Sequence, residues 1–267
     1  MENQETKTQS DYSYFGIQSS WGVTKHFGGL RATDELARLC KIGQGKSVLV
    51  VGCGIGLTPC HLAENYGCQV VSVDLSEKMI EWSRKRAERK GLADRIELRL
   101  ADAQELPFED GRFDVVIIES VNAFVPDKPR AFAEYARVTR AGGYVGMNEG
   151  TWIKFPPPTE LLRFIERSMQ ADFQLAEAWQ ALLSGAGLEV SAARVYPIKM
   201  LRQRLDENAG LDGSDWMDRL RAIGSFISDY VSDAEMRKYA KSIMPSRTVI
   251  RDLFAYLGYG NYAGKKP

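Results

Sequence analysis

Across residues 46–148 the apolar positions switch repeatedly between two periods. Residues 46–51 form a short β-branched apolar run, as a strand buried in a parallel sheet requires. Residues 58–66 follow at helical spacing, and a second strand at 69–73 ends on Asp74. Ser76 then stands as an N-cap before a helix at 77–90, which Gly91 ends. A third strand is predicted at 95–100 and a fourth at 113–119, with Val115 to Ile118 as its buried stretch. A helix at 129–139, a turn at Ala141-Gly142-Gly143 and a fifth strand at 144–148 complete the run. Strand and helix alternating at this spacing predict an α/β fold on a doubly wound, mostly parallel sheet.

The flanks are less regular. Residues 1–11 are polar and expected to be disordered, and 12–31 are rich in aromatic residues and glycine. Residues 32–41 read as a helix with Ala32, Leu36, Ala37 and Leu39 on its apolar stripe. After the fifth strand, 155–173 open on Phe-Pro-Pro-Pro and continue as an amphipathic helix. A helix at 174–184 and a strand at 188–195 follow. Residues 199–254 carry mostly helical pattern, including 216–230 and 234–241, and 259–265 suit a last strand. Fifty helical residues are too long for a connector. The expected organisation is therefore a cap at 1–31, a core at 32–198, a helical lid or substrate insert at 199–254 and a final strand within 255–267. Seven strands result.

Composition narrows the partners. The chain has 267 residues, 44% hydrophobic and 26% charged, which suits one large domain or a core with a lid. Its 35 basic and 35 acidic residues leave no net charge, whereas nucleic-acid binders usually carry a basic excess. Arg84, Lys85, Arg86, Arg89 and Lys90 cluster, but with Glu81 and Glu88 they read as a solvated helix face. No nucleic-acid partner is expected. Cys40, Cys53, Cys60 and Cys68 form no C-x-x-C pair, and His26 and His61 are the only histidines, so no metal site is expected. Free thiols, a polar N-terminus and the lack of an apolar run near the roughly 18 residues of a membrane span point to a cytoplasmic protein without an integral membrane segment.

The chemistry concentrates at Gly52, Gly54 and Gly56, which follow the first core strand directly. Glycine lets a tight turn form and a ligand approach the main chain. A dinucleotide fingerprint would place its third glycine at position 57, which is Leu57, and the phosphate-loop pattern is absent. Asp74 ends the next strand, where a carboxylate accepts hydrogen bonds from both hydroxyls of a ribose, or else caps the helix after Ser76.

Val-Val-Gly-Cys-Gly-Ile-Gly, Val-Asp-Leu-Ser, Ala-Asp-Ala and Phe-Asp-Val-Val resemble the successive motifs of class I S-adenosylmethionine (SAM)-dependent methyltransferases. The likeness is greatest to the group with ubiquinone/menaquinone, sterol and phosphoethanolamine enzymes, over about residues 45–150 and the final Tyr-Ala-Gly-Lys-Lys. It implies SAM as cofactor on a Rossmann-like sheet. Gly52, Cys53, Gly54 and Gly56 would pass the methionine part, Asp74 would hold the ribose, and Leu75 would lie beside the adenine. Asp102 would meet the adenine amino group, with the Ala103 N–H beside it; a plain turn residue is the other reading of Asp102. Glu119 and Ser120 would face cofactor and substrate. The family often has an acid two residues before the first glycine, where this chain has Val50. The methionine amino group then falls to backbone carbonyls or another acid such as Glu119.

Methyl transfer from a sulfonium needs alignment and exclusion of water, and a base only where the acceptor must lose a proton. Tyr14, Trp21 and His26 precede the first core helix, with Trp21 a candidate cover for the cofactor. Tyr14, His26 and Glu119 are the candidate catalytic residues. Glu149 ends the fifth strand, either facing the ligand or as a polar loop residue. Phe124, Trp152, Phe155 and Trp216 are candidate aromatic contributors around a cationic acceptor. The expected function is methyl transfer to a small molecule such as an amine, a phenol or quinol, or a lipid. The alternatives are a non-catalytic SAM-binding module or an aminopropyl-type transferase, and a lid-mediated homodimer is one arrangement open to the chain.

Overall fold

The computed structural model describes residues 16, 18, 26–199 and 213–267. After helix α1 (Gly29–Leu39) come β1 (Ser47–Val51), α2 (Leu57–Tyr66), β2 (Gln69–Asp74), α3 (Glu77–Arg89) and β3 (Ile96–Leu100). Then follow β4 (Phe113–Glu119), α4 (Lys128–Val138) and β5 (Thr139–Trp152). The remainder is α5 (Thr159–Ser168), β6 (Gln174–Leu175), α6 (Ala176–Gly185), β7 (Glu189–Pro197), α7 (Gly213–Ser232), α8 (Ala234–Ser242), α9 (Arg247–Tyr256) and β8 (Leu257–Lys265). Ser76 caps α3 as expected, its hydroxyl accepting the Met79 N–H.

The strands order β3-β2-β1-β4-β5-β8-β7, with β8 antiparallel to both neighbours and the other core pairs parallel. Seven strands were expected; an eighth, the two-residue β6, pairs beside the end of β5. A further correction concerns β5. It begins at Thr139, which pairs with Phe113, and the glycine-rich stretch bulges out before Tyr144 rejoins the register opposite Val115. The expected turn is thus a bulge inside a strand. The long helix expected in 155–173 is shorter, because three prolines precede it and Gln170 turns left-handed at φ 55° after it.

Strand parity builds the core, since successive side chains point to opposite faces. Val48, Val50, Val115 and Ile117 pack on one face with Leu36, Cys60 and Ile80 from α1, α2 and α3. Leu49, Val51, Val116, Ile118, Val145 and Met147 pack on the other with Phe132, Tyr135, Trp179 and Leu183 from α4 and α6. Strand order reverses between β1 and β4, and such a switch point opens a crevice at the carboxyl ends of the strands.

Residues 213–256 do form helices, as expected for the segment. Among the described residues, α9 lies against α5 and β8, where Val249 joins a third apolar cluster with Leu161 and Ile165. No described helix is long and apolar enough to cross a membrane.

Candidate active site

A cavity of about 590 Å³ lies at the switch point. Its floor is the turn after β1. Gly52 and Gly54 have φ of 73° and 52°, which side chains other than glycine rarely adopt, and a Cβ on Gly52 would run into the Val121 side chain. Cys53 between them is buried, and burial holds its thiol well above the ordinary range, so it acts as an apolar filler.

Asp74 braces this turn from the neighbouring strand. Its Oδ2 accepts the Gly54 N–H at 2.9 Å and its Oδ1 the Ser76 N–H at 3.0 Å. Burial pushes its pKa up, against the opposing effect of these backbone N–H groups. A carboxylate has about four acceptor positions. Backbone N–H groups take part of that capacity, and the rest remains on a side chain that lines the cavity. Both readings of Asp74 are thus compatible: it serves the helix start and retains capacity for a vicinal diol. Leu75 beside it is 74% exposed, an apolar surface at the cavity lip. Asp102 and Ala103 also line the cavity, and Asp102 accepts the Gln104 N–H at 2.8 Å and meets its side-chain amide.

Gly56 stands apart from its two companions. It is the N-cap of α2 with φ 83°, and it is absent from the cavity lining among the described residues. A Cβ there would fall 2.7 Å from Ser83 Oγ and 2.9 Å from Ser83 Cα, so the position serves close packing of α3. Gly56→Ala is expected to lower stability by about 2 kcal/mol through left-handed strain and this clash. Affinity of the folded fraction for S-adenosylhomocysteine (SAH) should hold within about threefold, since that fraction keeps its turn. Urea unfolding and calorimetry check the pair; lost affinity at unchanged stability would return Gly56 to the ligand.

Arg86 corrects the reading of the basic cluster. It is buried, and its Nε donates to the Ile55 carbonyl at 2.8 Å, holding the glycine turn from α3. Helical periodicity contained that signal: Met79, Ser83 and Arg86 share one buried stripe.

On the other side of the turn, Glu119 ends β4 on the face of α1 and α2. It accepts the Thr33 hydroxyl at 2.9 Å and also the Thr58 hydroxyl. His26 Nε2 lies 3.2 Å from Thr33 Oγ1 and 3.9 Å from Glu119 Oε1. The Thr33 hydrogen is committed to the carboxylate, so its oxygen faces the ring as an acceptor. An Nε2 that carries hydrogen would donate to that oxygen. His26, Glu119 and Thr58 all line the cavity.

Glu149 overturns both of its expected placements. It is neither a loop residue nor a wall of the cavity: it lies within β5, fully buried, on the face of Val145 and Met147. Its Oε1 accepts the Val121 and Asn122 N–H groups at 3.0 and 2.6 Å. Burial pushes its pKa up to about 7 despite those bonds. Parity separates the two acids, as Glu119 follows Ile117 and Glu149 follows Met147 on opposite faces.

The aromatic candidates are not gathered in one place. Phe124 lines the cavity, and Trp152 and Phe155 line a separate groove beside α5 and β6. Trp216 is exposed on α7. Tyr14 and Trp21 lie outside the described residues. Sequence reasoning missed Met79, Thr58, Val121, Val125 and Pro126 as cavity walls. They carry no motif and reach the site only through packing.

Comparison with known proteins decides the family. A methyltransferase-domain family matches residues 49–147. The chain is 34% identical over 196 residues to 27-O-demethylrifamycin SV methyltransferase of Amycolatopsis mediterranei (strain S699), covering 66% of this chain and 71% of that enzyme. The chain belongs to the class I SAM-dependent methyltransferases. It is also 40% identical over 118 residues to an uncharacterized protein of Haemophilus influenzae, covering 43% of this chain and 47% of that one. It is 30% identical over 182 residues to phosphoethanolamine N-methyltransferase 3 of Arabidopsis thaliana, covering 67% of this chain and 36% of that enzyme. The chain thus spans less than half the length of these last two relatives. Among solved structures, the [4+2]-cyclase SpnF matches with TM-score 0.74 at 18% identity over 97% of this chain and 94% of SpnF. A SAM-dependent methyltransferase from Thiobacillus denitrificans, in complex with SAH, matches at 0.71 and 17% over 99% and 100%.

The cofactor of this methyltransferase family is SAM. The cavity fits it by volume, by the spare acceptor capacity of Asp74 and by the exposed Leu75. Gly52, Gly54, Asp74, Leu75, Asp102 and Ala103 are the residues that would hold it. When bound, it supplies a methyl group already activated by a positively charged sulfur.

Proposed function

We propose that this chain transfers a methyl group from SAM to a small organic acceptor, with the SAM residues placed as above. The observation that carries the reading is a single cavity at the switch point that joins two unlike surfaces. One is the polar floor of Gly52, Gly54, Asp74 and Asp102; the other is an apolar wall of Val121, Phe124, Val125 and Pro126. The polar floor suits an adenosyl ligand, and the apolar wall suits an acceptor held dry against it. His26 also lines the cavity and is our candidate to take a proton from an acceptor that must lose one.

The fold by itself does not fix methyl transfer, since one fold neighbour is titled a cyclase. The experiment therefore reads transfer directly. Methyl-labelled SAM is incubated with the chain and with panels of amines, phenols, quinols, sterols and lipids. Label is expected in an organic small molecule. Label confined to RNA would overturn the acceptor class, and SAH binding without any transfer would favour the non-catalytic SAM-binding module.

A further inference from the structure

We propose that Glu35, Asn261 and Asn148 are positioning residues that make Ser120 a hydrogen-bond acceptor in the cavity, so that the site selects a methyl acceptor carrying an O–H or N–H group. The assignment rests on the methyl-transfer reading above. Asn148 on β5 and Asn261 on β8 stand opposite each other in register, and both are fully buried. Amides in the middle of a sheet are costly unless they are hydrogen-bonded. Here they form the centre of a chain of bonds that runs from the surface to the cavity. Arg194 Nη1 and the Tyr196 hydroxyl donate to Glu35 Oε1 at 2.6 and 2.7 Å. Asn261 Nδ2 donates to Glu35 Oε2 at 2.7 Å and to the Ala32 carbonyl at 3.3 Å. Asn148 Nδ2 donates to Asn261 Oδ1 at 2.7 Å, and the Ser120 hydroxyl donates to Asn148 Oδ1 in a long bond of 3.4 Å.

The direction of this chain is fixed from its charged end. Burial works against the Glu35 charge, but hydrogen bonds from Tyr196, Arg194 and Asn261 outweigh it and hold the carboxyl below its usual range. An ionised carboxylate only accepts. The Asn261 atom that faces both it and the Ala32 carbonyl is therefore the amide nitrogen, and the Asn261 oxygen faces Asn148. The same argument turns the Asn148 nitrogen to Asn261 and its oxygen to Ser120. The Ser120 hydrogen is committed there, because withdrawing it would strip a fully buried oxygen of its donor. Asn148 also holds the Ser120 backbone. That residue has φ 57°, in the left-handed region that residues other than glycine rarely adopt, and its N–H donates to the Asn148 carbonyl at 2.7 Å. Ser120 Oγ accepts the Phe27 N–H at 3.3 Å and keeps further acceptor capacity on a side chain that lines the cavity beside Val121 and Phe124. A hydroxyl or an amine N–H of a bound molecule can donate to it. A tertiary amine without a proton or a bare alkene cannot.

Steady-state transfer from methyl-labelled SAM, with calorimetry of SAH on the same proteins, tests this. In a panel widened by tertiary amines and by alkenes free of hydroxyl groups, label is expected in molecules that carry an O–H or N–H group. Asn148→Ala lets the Ser120 hydrogen turn into the cavity. It is expected to raise the KM of the labelled acceptor roughly 5- to 10-fold, the scale of one neutral hydrogen bond, with SAH affinity kept within about twofold. Asn148→Asp at about pH 6 is the rescue. A buried carboxyl holds its proton, so its O–H donates to Asn261 and its other oxygen accepts from Ser120, and KM should return to within about twofold of the unsubstituted chain. Ser120→Ala gives the same rise in KM if Asn148→Ala does not fold. Parallel losses for SAH and acceptor, or no rescue by Asp, would overturn the proposal by reducing the network to a structural role. An unchanged KM in the Ala variants would overturn it, as would a tertiary amine or hydroxyl-free alkene methylated as well as its protic counterparts. No label in any molecule would overturn the methyl-transfer reading and this one with it, a different outcome from a labelled acceptor whose KM ignores Ser120.

Discussion

Asp74→Ala is expected to weaken SAH binding by about 100-fold or more. Two effects add. Each hydrogen bond from a ribose hydroxyl to a charged carboxylate contributes about 1.5 kcal/mol, and two such bonds amount to roughly a factor of 100. The substitution also strips the Gly54 and Ser76 N–H groups of their acceptor, so the glycine turn loses the brace that holds its backbone toward the cavity. Asp74→Asn separates the two effects. Its amide oxygen still accepts one of the backbone N–H groups, while the negative charge and half the acceptor capacity are gone. Calorimetry should place Asn between the native residue and Ala. An Asp74→Ala protein that binds SAH like the unsubstituted chain would end the ribose assignment and leave Asp74 as a helix-start residue only.

The second large effect is a pH dependence of stability at Glu149. Its carboxyl is raised from 4.5 to about 7 in the folded chain by burial. A folded pKa above the unfolded one means that the folded state holds the proton longer. The associated stability is full below about pH 4.5 and is lost as pH rises through 7. Between pH 5 and 8 this group should cost roughly 2–3 kcal/mol of unfolding free energy. Glu149→Gln has no proton to lose, and its amide oxygen still accepts from Val121 and Asn122. Urea unfolding at both pH values should show a larger fall for the native chain than for the variant. Parallel falls would refute the assignment. The consequence reaches the cavity, because Glu149 holds the turn that presents Val121 and Phe124 to it.

Glu119 and Glu149 also show where sequence reading stopped. Each is a glutamate at or near the carboxyl end of a core strand, and local sequence does not separate them. The alternation of each strand assigns them to opposite faces once the cavity face is known, and that knowledge comes only from helix packing. Arg86 was obscured differently. Its charge suggested solvent, although its place on the buried stripe of α3 and the open carbonyl of Ile55 determined its environment. Gly56 looked like its two companions in the motif, yet the close approach of Ser83 gives it a packing constraint.

By itself the sequence determined the strand–helix alternation, the parallel core and its glycine turn, Asp74 at the end of β2, and the family. These depend on short-range patterns: side-chain period, N-capping, and glycine where φ is positive. Only the tertiary structure decided the extra pairing of β6, the bulge in β5 and the packing of α9 against α5 and β8. It also decided which acid, glycine and aromatic faces that cavity. Those outcomes depend on contacts between residues far apart in the chain, such as Thr33 and Thr58 with Glu119, and no local pattern encodes which face a distant helix will cover.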